Sequence, residues 1–214
     1  MIIKNIRSDK LLHLKDFLDL GILGDGAYLS GGAAMSIVDN NHNFDDYDVF
    51  FQFVGHDDGS VVDICNENQS PMYRIPLQLL TVAESLKDKG FELIYVCPRH
   101  TLYSYKKDDM KIQLIPGRYG DIEDVIHAFD LMQCKVAFDG EKIYTFRESL
   151  RCIYRKQIKV SASVSNPIRT LSRIMKYHKH KDYDIEVFEI VKLCSHNKYK
   201  MDMDSTVLDL GFYL

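Results

Sequence analysis

The chain has 214 residues, of which 46% are hydrophobic and 27% are charged, and its formal net charge is −4. This composition is typical of a globular protein in water, and the length allows one domain or one and a half. No apolar run approaches the roughly 18 residues that a membrane span needs. The opening sequence, MIIKNIRSDK, also lacks the apolar region of a signal peptide, so we expect neither a membrane partner nor secretion.

The five cysteines are odd in number and form no C-x-x-C motif. Most of them lie within apolar runs, which favours buried free thiols over disulfides or a zinc site. We therefore expect an intracellular, cytoplasmic protein.

The first predicted element is a helix that starts near Ser8, carries a broad apolar stripe and ends at Gly21. A buried strand follows and ends in the sequence SGG at 30–32, and a short helix then runs from 33 to about 38. After a polar loop, a second apolar strand runs to about residue 54. The acidic sequence at 56–58 lies between two glycines and is interpreted as a surface turn rather than a metal site.

Two features of residues 28–51 point to chemistry. Gly31 and Gly32 allow a sharp turn and the close approach of a ligand, because neither has a Cβ. Asp46 and Asp48 are separated by one residue, so in a strand both carboxylates point to one face. Two neighbouring carboxylates are costly to hold unless a cation lies between them, and Mg²⁺ prefers such oxygen ligands.

The middle of the chain predicts a helix over 76–88 and three strands over 91–97, 102–106 and 110–115. A hairpin loop at 107–109 joins the last two strands. One helix followed by paired strands favours an α+β fold, with a mixed or antiparallel sheet and helices on one side.

The end of the chain predicts a small helical region. Helices are expected over 146–156, from the N-cap Asn166 onward, and over 183–194, with apolar closure at 207–214. In the helix after Asn166, the pattern places four apolar residues on one face: Ile168, Leu171, Ile174 and Met175. We divide the chain into a catalytic domain, 1–145, and a helical region, 146–214, packed on it.

Basic residues are concentrated in this region: residues 151–182 carry nine Lys or Arg against one acid. Arg169, Arg173 and Lys176 are spaced by three or four along one helix and form a basic stripe. Such a stripe can hold an RNA backbone or triphosphate oxygens, although a solvated helix face is the alternative. The two histidines of the YHKHK sequence at 177–181 are interpreted as solvated rather than as ligands.

The glycine turn, the short helix and the D-x-D strand resemble the signature of the DNA polymerase β-like nucleotidyltransferase superfamily. This superfamily includes CCA-adding enzymes, poly(A) polymerases and small viral or phage-type enzymes, and the resemblance covers roughly residues 28–185. It implies that the turn formed by Ser30, Gly31 and Gly32 holds a nucleoside triphosphate, ATP or another NTP. It also implies that Asp46 and Asp48 are catalytic and bind Mg²⁺ or Mn²⁺.

The resemblance extends to later segments, with one departure. Members of the superfamily usually carry a third metal-binding carboxylate on the strand that corresponds to KIQLI at 111–115. This chain has Gln113 there. Arg118 resembles an arginine near the triphosphate of CCA-adding enzymes. The segment FDLMQCKVAFDG at 129–140 resembles one in CCA-adding enzymes and small viral proteins, in which an acid begins a strand beside the active site. Asp130 is therefore a catalytic candidate, which either replaces the missing carboxylate or orients a partner such as Arg118.

The segment NPIRTLSRIMKY at 166–177 resembles the start of a helical region that shapes the nucleotide or acceptor site in the viral and phage-type proteins. This resemblance implies that Arg169 and Arg173 bind nucleotide. The expected function is metal-dependent transfer of an NMP from an NTP to an acceptor, with an RNA 3′ end as first choice and a protein hydroxyl as another. The alternatives are an inactive nucleotidyltransferase fold that binds nucleotide, RNA or a protein partner, and an RNA-binding protein that uses only the basic helix.

Overall fold

A computed structural model describes residues 1–53, 61–65, 71–97 and 102–195. The predicted turn at 56–58 and the predicted apolar closure at 207–214 lie outside the described residues. No described helix is long and apolar enough to cross a membrane.

The described residues form an eight-stranded mixed sheet and two small two-stranded pairs. The strands are β1 (Ile2–Asn5), β2 (Ala27–Ser30), β3 (Tyr47–Phe53), β4 (Val61–Cys65), β5 (Pro71–Pro76), β6 (Glu92–Cys97), β7 (Leu102–Lys107), β8 (Met110–Tyr119), β9 (Val136–Phe138), β10 (Lys142–Thr145), β11 (Gln157–Ile158) and β12 (Asp184–Ile185). The main sheet has the order β1-β10-β9-β2-β3-β8-β7-β6, whereas β4 pairs with β5 and β11 with β12. Neighbours in the main sheet are antiparallel except the central pair, β3 and β8, which is parallel.

Seven α-helices are described along the same residues. They are α1 (Lys15–Leu18), α2 (Gly31–Asp39), α3 (Leu77–Asp88), α4 (Ile122–His127), α5 (Arg147–Tyr154), α6 (Pro167–Lys181) and α7 (Val187–Ser195). The predicted α+β class and mixed sheet are confirmed. The first helix is shorter than predicted, because Ser8–Leu14 forms a 3₁₀ helix before α1.

The large core lies on one face of the sheet, as the prediction of helices on one side requires. Every helix except α4 contributes buried residues to this cluster. Leu29 of β2 points into it, whereas its neighbour Tyr28 packs with Ile122 and Ile126 of α4 in a second cluster. Successive strand residues point to opposite faces, so α4 covers part of the other face.

Helix α6 buries a different face from the one predicted. Of the four apolar residues expected to share that face only Ile174 is buried, while Leu171 and Met175 are 43% and 44% exposed. The buried residues of the helix are instead Thr170, Ile174, Tyr177 and Lys181. Half of this row is polar: Thr170 donates a hydrogen bond to Asp130, and Lys181 lies against the Gly32 turn.

The start of α6 follows the prediction at Asn166, whose side chain accepts hydrogen bonds from the backbone N–H groups of Ile168 and Arg169, both at 3.1 Å. We expect Asn166→Ala to lower the free energy of unfolding by about 0.5–2 kcal/mol, because two N–H groups lose their acceptor. Urea unfolding measures this change. The matched control is Ser165→Ala at the exposed preceding residue, which should have little effect; equal losses in both variants would contradict the assigned cap.

Candidate active site

The glycine turn lies where β2 ends and α2 begins. Ser30 anchors the end of the strand, because its hydroxyl donates to the carbonyl of Val136 at 2.5 Å. Gly31 has φ +65°, and a Cβ built on it would lie 2.5 Å from Oδ2 of Asp48. Both the backbone conformation and the adjacent carboxylate therefore require glycine at position 31.

The two predicted carboxylates lie together beside this turn. In the sheet, Asp48 is the register partner of Ser30 on one side and of Gln113 on the other. Gln113 Nε2 donates to Oδ2 of Asp46 at 2.8 Å. Gln113 therefore lies beside Asp48 in the sheet, and its side-chain amide reaches Asp46. Both aspartates and Gln113 are thus on the same face of the sheet.

Burial and mutual repulsion dominate the electrostatics of this pair. Burial, followed by the charge of Asp46, raises the pKa of Asp48 to about 7. Burial also raises the pKa of Asp46, although Lys111 and Lys176 oppose the rise. Nζ of Lys111 is 3.9 Å from Oδ2 of Asp46. The side chain of Asp48 forms no hydrogen bond or ion pair within the described ranges, and the charges of Arg173, Lys176 and Lys111 offset the effect of burial only in part.

A divalent cation fits this donor set, because it would relieve the repulsion that raises both pKa values. Asp46 and Asp48 are the residues that could hold it. Among the described residues no group of three or more His, Cys, Asp or Glu side chains could hold a metal ion. The site therefore offers two carboxylates, with an amide at the third position.

Asp130 is linked to the carboxylate pair through Arg173. It precedes a 3₁₀ helix at Met132–Cys134 rather than beginning a strand. Its Oδ2 accepts hydrogen bonds from Thr170 Oγ1 and Arg173 Nη1, both at 2.6 Å. The positive charge of Arg173 in turn opposes the rise in the pKa of Asp48. Asp130 therefore holds Arg173 toward the site, whereas its other expected partner, Arg118, is in β8 with a side chain outside the described residues.

Two of the three residues of the basic stripe of α6 form ion pairs with acids near the carboxylate pair. Lys176 Nζ is 2.6 Å from Oδ2 of Asp45. Burial lowers the pKa of this lysine, but the hydrogen bond to Asp45 and the charges of the nearby aspartates together raise it above its usual value. Arg173 is paired with Asp130. Arg169, the third predicted cation, is half-buried in the first turn of the helix.

Lys181, which was not among the predicted site residues, also reaches this site. Its Nζ is 3.0 Å from the position that a Cβ on Gly32 would occupy. A signal was present in the spacing, because residues 170, 174, 177 and 181 repeat at intervals of three or four along one helix face.

The fold that carries this site is similar to that of CCA-adding enzymes. The chain is similar to the Thermotoga maritima CCA-adding enzyme complexed with tRNA, with a TM-score of 0.60 at 18% identity, over 87% of this chain and 43% of that chain. It is also similar to a CCA-adding enzyme in complex with ATP (TM-score 0.59, 18% identity, 87% and 44%). A tRNA-processing enzyme with CTP gives a TM-score of 0.55 at 15% identity, over 85% and 45%. The chain spans less than half the length of these proteins.

The chain belongs to the Gabija anti-defense 2 (Gad2) family, whose model matches residues 4–156. No curated protein matches it. The match covers β1 to α5 and so includes the glycine turn, both aspartates and Asp130, whereas α6 follows it.

Proposed function

We propose that the protein is a metal-dependent nucleotidyltransferase that transfers an NMP from an NTP to an acceptor hydroxyl and releases pyrophosphate. One observation carries this proposal: the carboxylate of Asp48 lies against the Gly31 turn and beside Asp46. A metal ion held by these two carboxylates would be adjacent to any phosphate chain bound on the turn. The nucleotidyltransferase fold supports the same activity.

Each part of the site has a role in this proposal. The triphosphate would lie over the Ser30-Gly31-Gly32 turn, where the first backbone N–H groups of α2 are free to donate to an anion. Asp46 and Asp48 would hold Mg²⁺ or Mn²⁺, which when bound neutralises charge that develops on the transferred phosphoryl group. Arg173, oriented by Asp130, would add positive charge on the same side.

The helical region contributes to the site in this proposal. We assign residues 1–145 to the catalytic domain and 146–214 to a helical region that packs on it. Arg173 and Lys176 of α6 contact acids of the catalytic part, Asp130 and Asp45. A cytoplasmic location stays a prediction from the cysteine pattern.

For the acceptor, we propose an RNA 3′ end whose modification serves the anti-defence role against Gabija that the family description gives. One of the similar enzymes forms a complex with tRNA, which supports an RNA acceptor. The alternative acceptor is a hydroxyl of a Gabija protein. It gains support from α6, because Arg173 and Lys176 are already ion-paired at the site and leave less of the basic stripe for RNA.

A second candidate function is nucleotide or partner binding without turnover. The observation that favours it is Gln113, which occupies the third-carboxylate position and donates a hydrogen bond to Asp46. An amide binds divalent ions more weakly than a carboxylate, since it carries no charge. In this case the protein would act by binding alone.

The test is incubation of purified protein with each labelled NTP and Mg²⁺ or Mn²⁺, in parallel with total RNA and with purified Gabija proteins. Label transferred to RNA supports the first proposal, and label on protein identifies the alternative acceptor. Nucleotide binding without transfer to either acceptor favours the inactive fold. Absence of both binding and transfer of any NTP would contradict the transferase and the nucleotide-binding form of the second candidate.

We expect metal binding to depend on pH near neutrality. Since the pKa of Asp48 is raised to about 7, a proton competes with the metal below that pH. Mn²⁺ affinity, measured by electron paramagnetic resonance, should fall about tenfold from pH 8 to pH 6. In Asp48→Asn it should be weaker and nearly independent of pH over this range. Equal wild-type affinity at the two pH values would contradict the assigned role of Asp48.

A further inference from the structure

Lys181 is a buried cation at the glycine turn. It is the last residue of α6 and is 7% exposed. Its Nζ lies 5.1 Å from the ring centroid of Tyr177 and 3.0 Å from the position of a Cβ on Gly32. The ammonium group therefore points at the start of α2.

Within the described residues, Lys181 has no carboxylate partner and no hydrogen-bond acceptor, unlike the other inward cations of α6. Arg173 pairs with Asp130 and Lys176 with Asp45. Burial, followed by the charge of Lys176, lowers the pKa of Lys181. The contact with Tyr177 and the partial negative charge at the end of α6 compensate an ammonium group only in part. An ammonium group on a largely buried side chain with no carboxylate partner is costly to hold, and an anionic ligand would offset this cost.

The surroundings of this ammonium group favour an anion. The nine-residue helix α2 starts at Gly31, and its first N–H groups carry partial positive charge. Gly32 lacks a side chain, which leaves Nζ of Lys181 close to those N–H groups. The helix start and the ammonium group of Lys181 thus lie close together at the glycine turn.

We propose that Lys181 binds the polyphosphate anion of the site, by donating to a β- or γ-phosphate oxygen of the bound NTP or to the pyrophosphate that leaves. This inference rests on the proposed function, because the same turn is assigned to the triphosphate. The role is binding, since Lys181 contacts the turn rather than the carboxylates. Helix α6 thereby completes a site whose other parts lie at the ends of β2 and β3.

The experiment measures binding of inorganic tripolyphosphate in the presence of Mg²⁺ by isothermal titration calorimetry. Lys181→Met keeps an unbranched side chain that is one atom shorter and removes the charge. We expect it to weaken binding by about ten- to a hundredfold, as expected for loss of a hydrogen bond to a charged group. The matched control is Lys179→Met, which removes the same charge from an exposed position of the same helix and should leave binding unchanged.

The outcomes separate this inference from the proposed function. Failure of the wild-type protein to bind either tripolyphosphate or any NTP would contradict the proposed function and the inference together. Tight wild-type binding that Lys181→Met leaves unchanged would overturn the inference alone. The melting temperature provides a second test, because removal of a buried, unpaired charge should leave it equal to or above that of the wild type. A clearly lower melting temperature would show that Lys181 stabilises the fold, and would also overturn the inference.

Discussion

Asp48→Asn is expected to lower the rate of nucleotidyl transfer by about three orders of magnitude or more, and Asp46→Asn should have a similar effect. Loss of either carboxylate removes half of the charge that would hold the metal ion. An ion that stabilises the developing charge contributes several kcal/mol, and each 1.4 kcal/mol is about tenfold in rate. Single-turnover transfer of labelled NMP at saturating NTP measures the effect on the chemical step.

Asp48→Asn is also expected to stabilise the metal-free fold at neutral and higher pH. The pKa of Asp48 is raised from 3.8 to about 7, so the folded state loses stability as the pH rises through that range. Asparagine carries no charge, and we expect a gain of about 1–3 kcal/mol at pH 8. The gain should shrink as the pH falls toward 4. Urea unfolding without metal at both pH values tests this expectation.

The control for both measurements is Asp45→Asn, which removes the acid that directly precedes Asp46 and does not belong to the pair. Asp45 is 62% exposed and pairs with Lys176. We expect transfer to change by less than about tenfold, since an exposed ion pair contributes little. A large loss of transfer in Asp45→Asn with none in Asp48→Asn would contradict the assigned pair. Loss of stability at pH 8 in Asp48→Asn would show that the carboxylate is already compensated.

The sequence was sufficient for the part of the site that is local in the chain. The turn at 30–32, α2 and the strand with Asp46 and Asp48 lie within about twenty residues, and glycine and acidic spacing determine their geometry directly. Gln113 was assigned to the third-carboxylate position from the superfamily resemblance, and the structure places it beside Asp48 in the parallel pair of β3 and β8.

The contacts of α6 were not predictable in the same way. Apolar periodicity favoured a face with Leu171, whereas the helix turns Thr170 and Arg173 inward. The hydrogen bond from Arg173 to Asp130 joins residues 43 positions apart, and no local pattern specifies such a pair. Lys181 was missed for the same reason, since burial of a lysine depends on the surface that the helix covers rather than on its own chemistry.

Gly31→Ala is expected to abolish transfer and to weaken Mn²⁺ binding, although it leaves both carboxylates in the sequence unchanged. The new Cβ would lie 2.5 Å from Oδ2 of Asp48, so the carboxylate must rotate away from the site or the turn must shift. The φ of +65° also costs an L residue about 1–2 kcal/mol. Transfer, Mn²⁺ binding and urea unfolding should therefore all change.

Gly21→Ala separates the two effects of this substitution. Gly21 has nearly the same backbone conformation, φ +62°, but a Cβ there would have nothing within 4 Å. We therefore expect a similar loss of stability in Gly21→Ala, with normal transfer and metal binding. Normal metal binding in Gly31→Ala would mean that Asp48 acts from a position unlike the one described. This result would also contradict the contact between the turn and the Asp48 carboxylate, on which the proposed function depends.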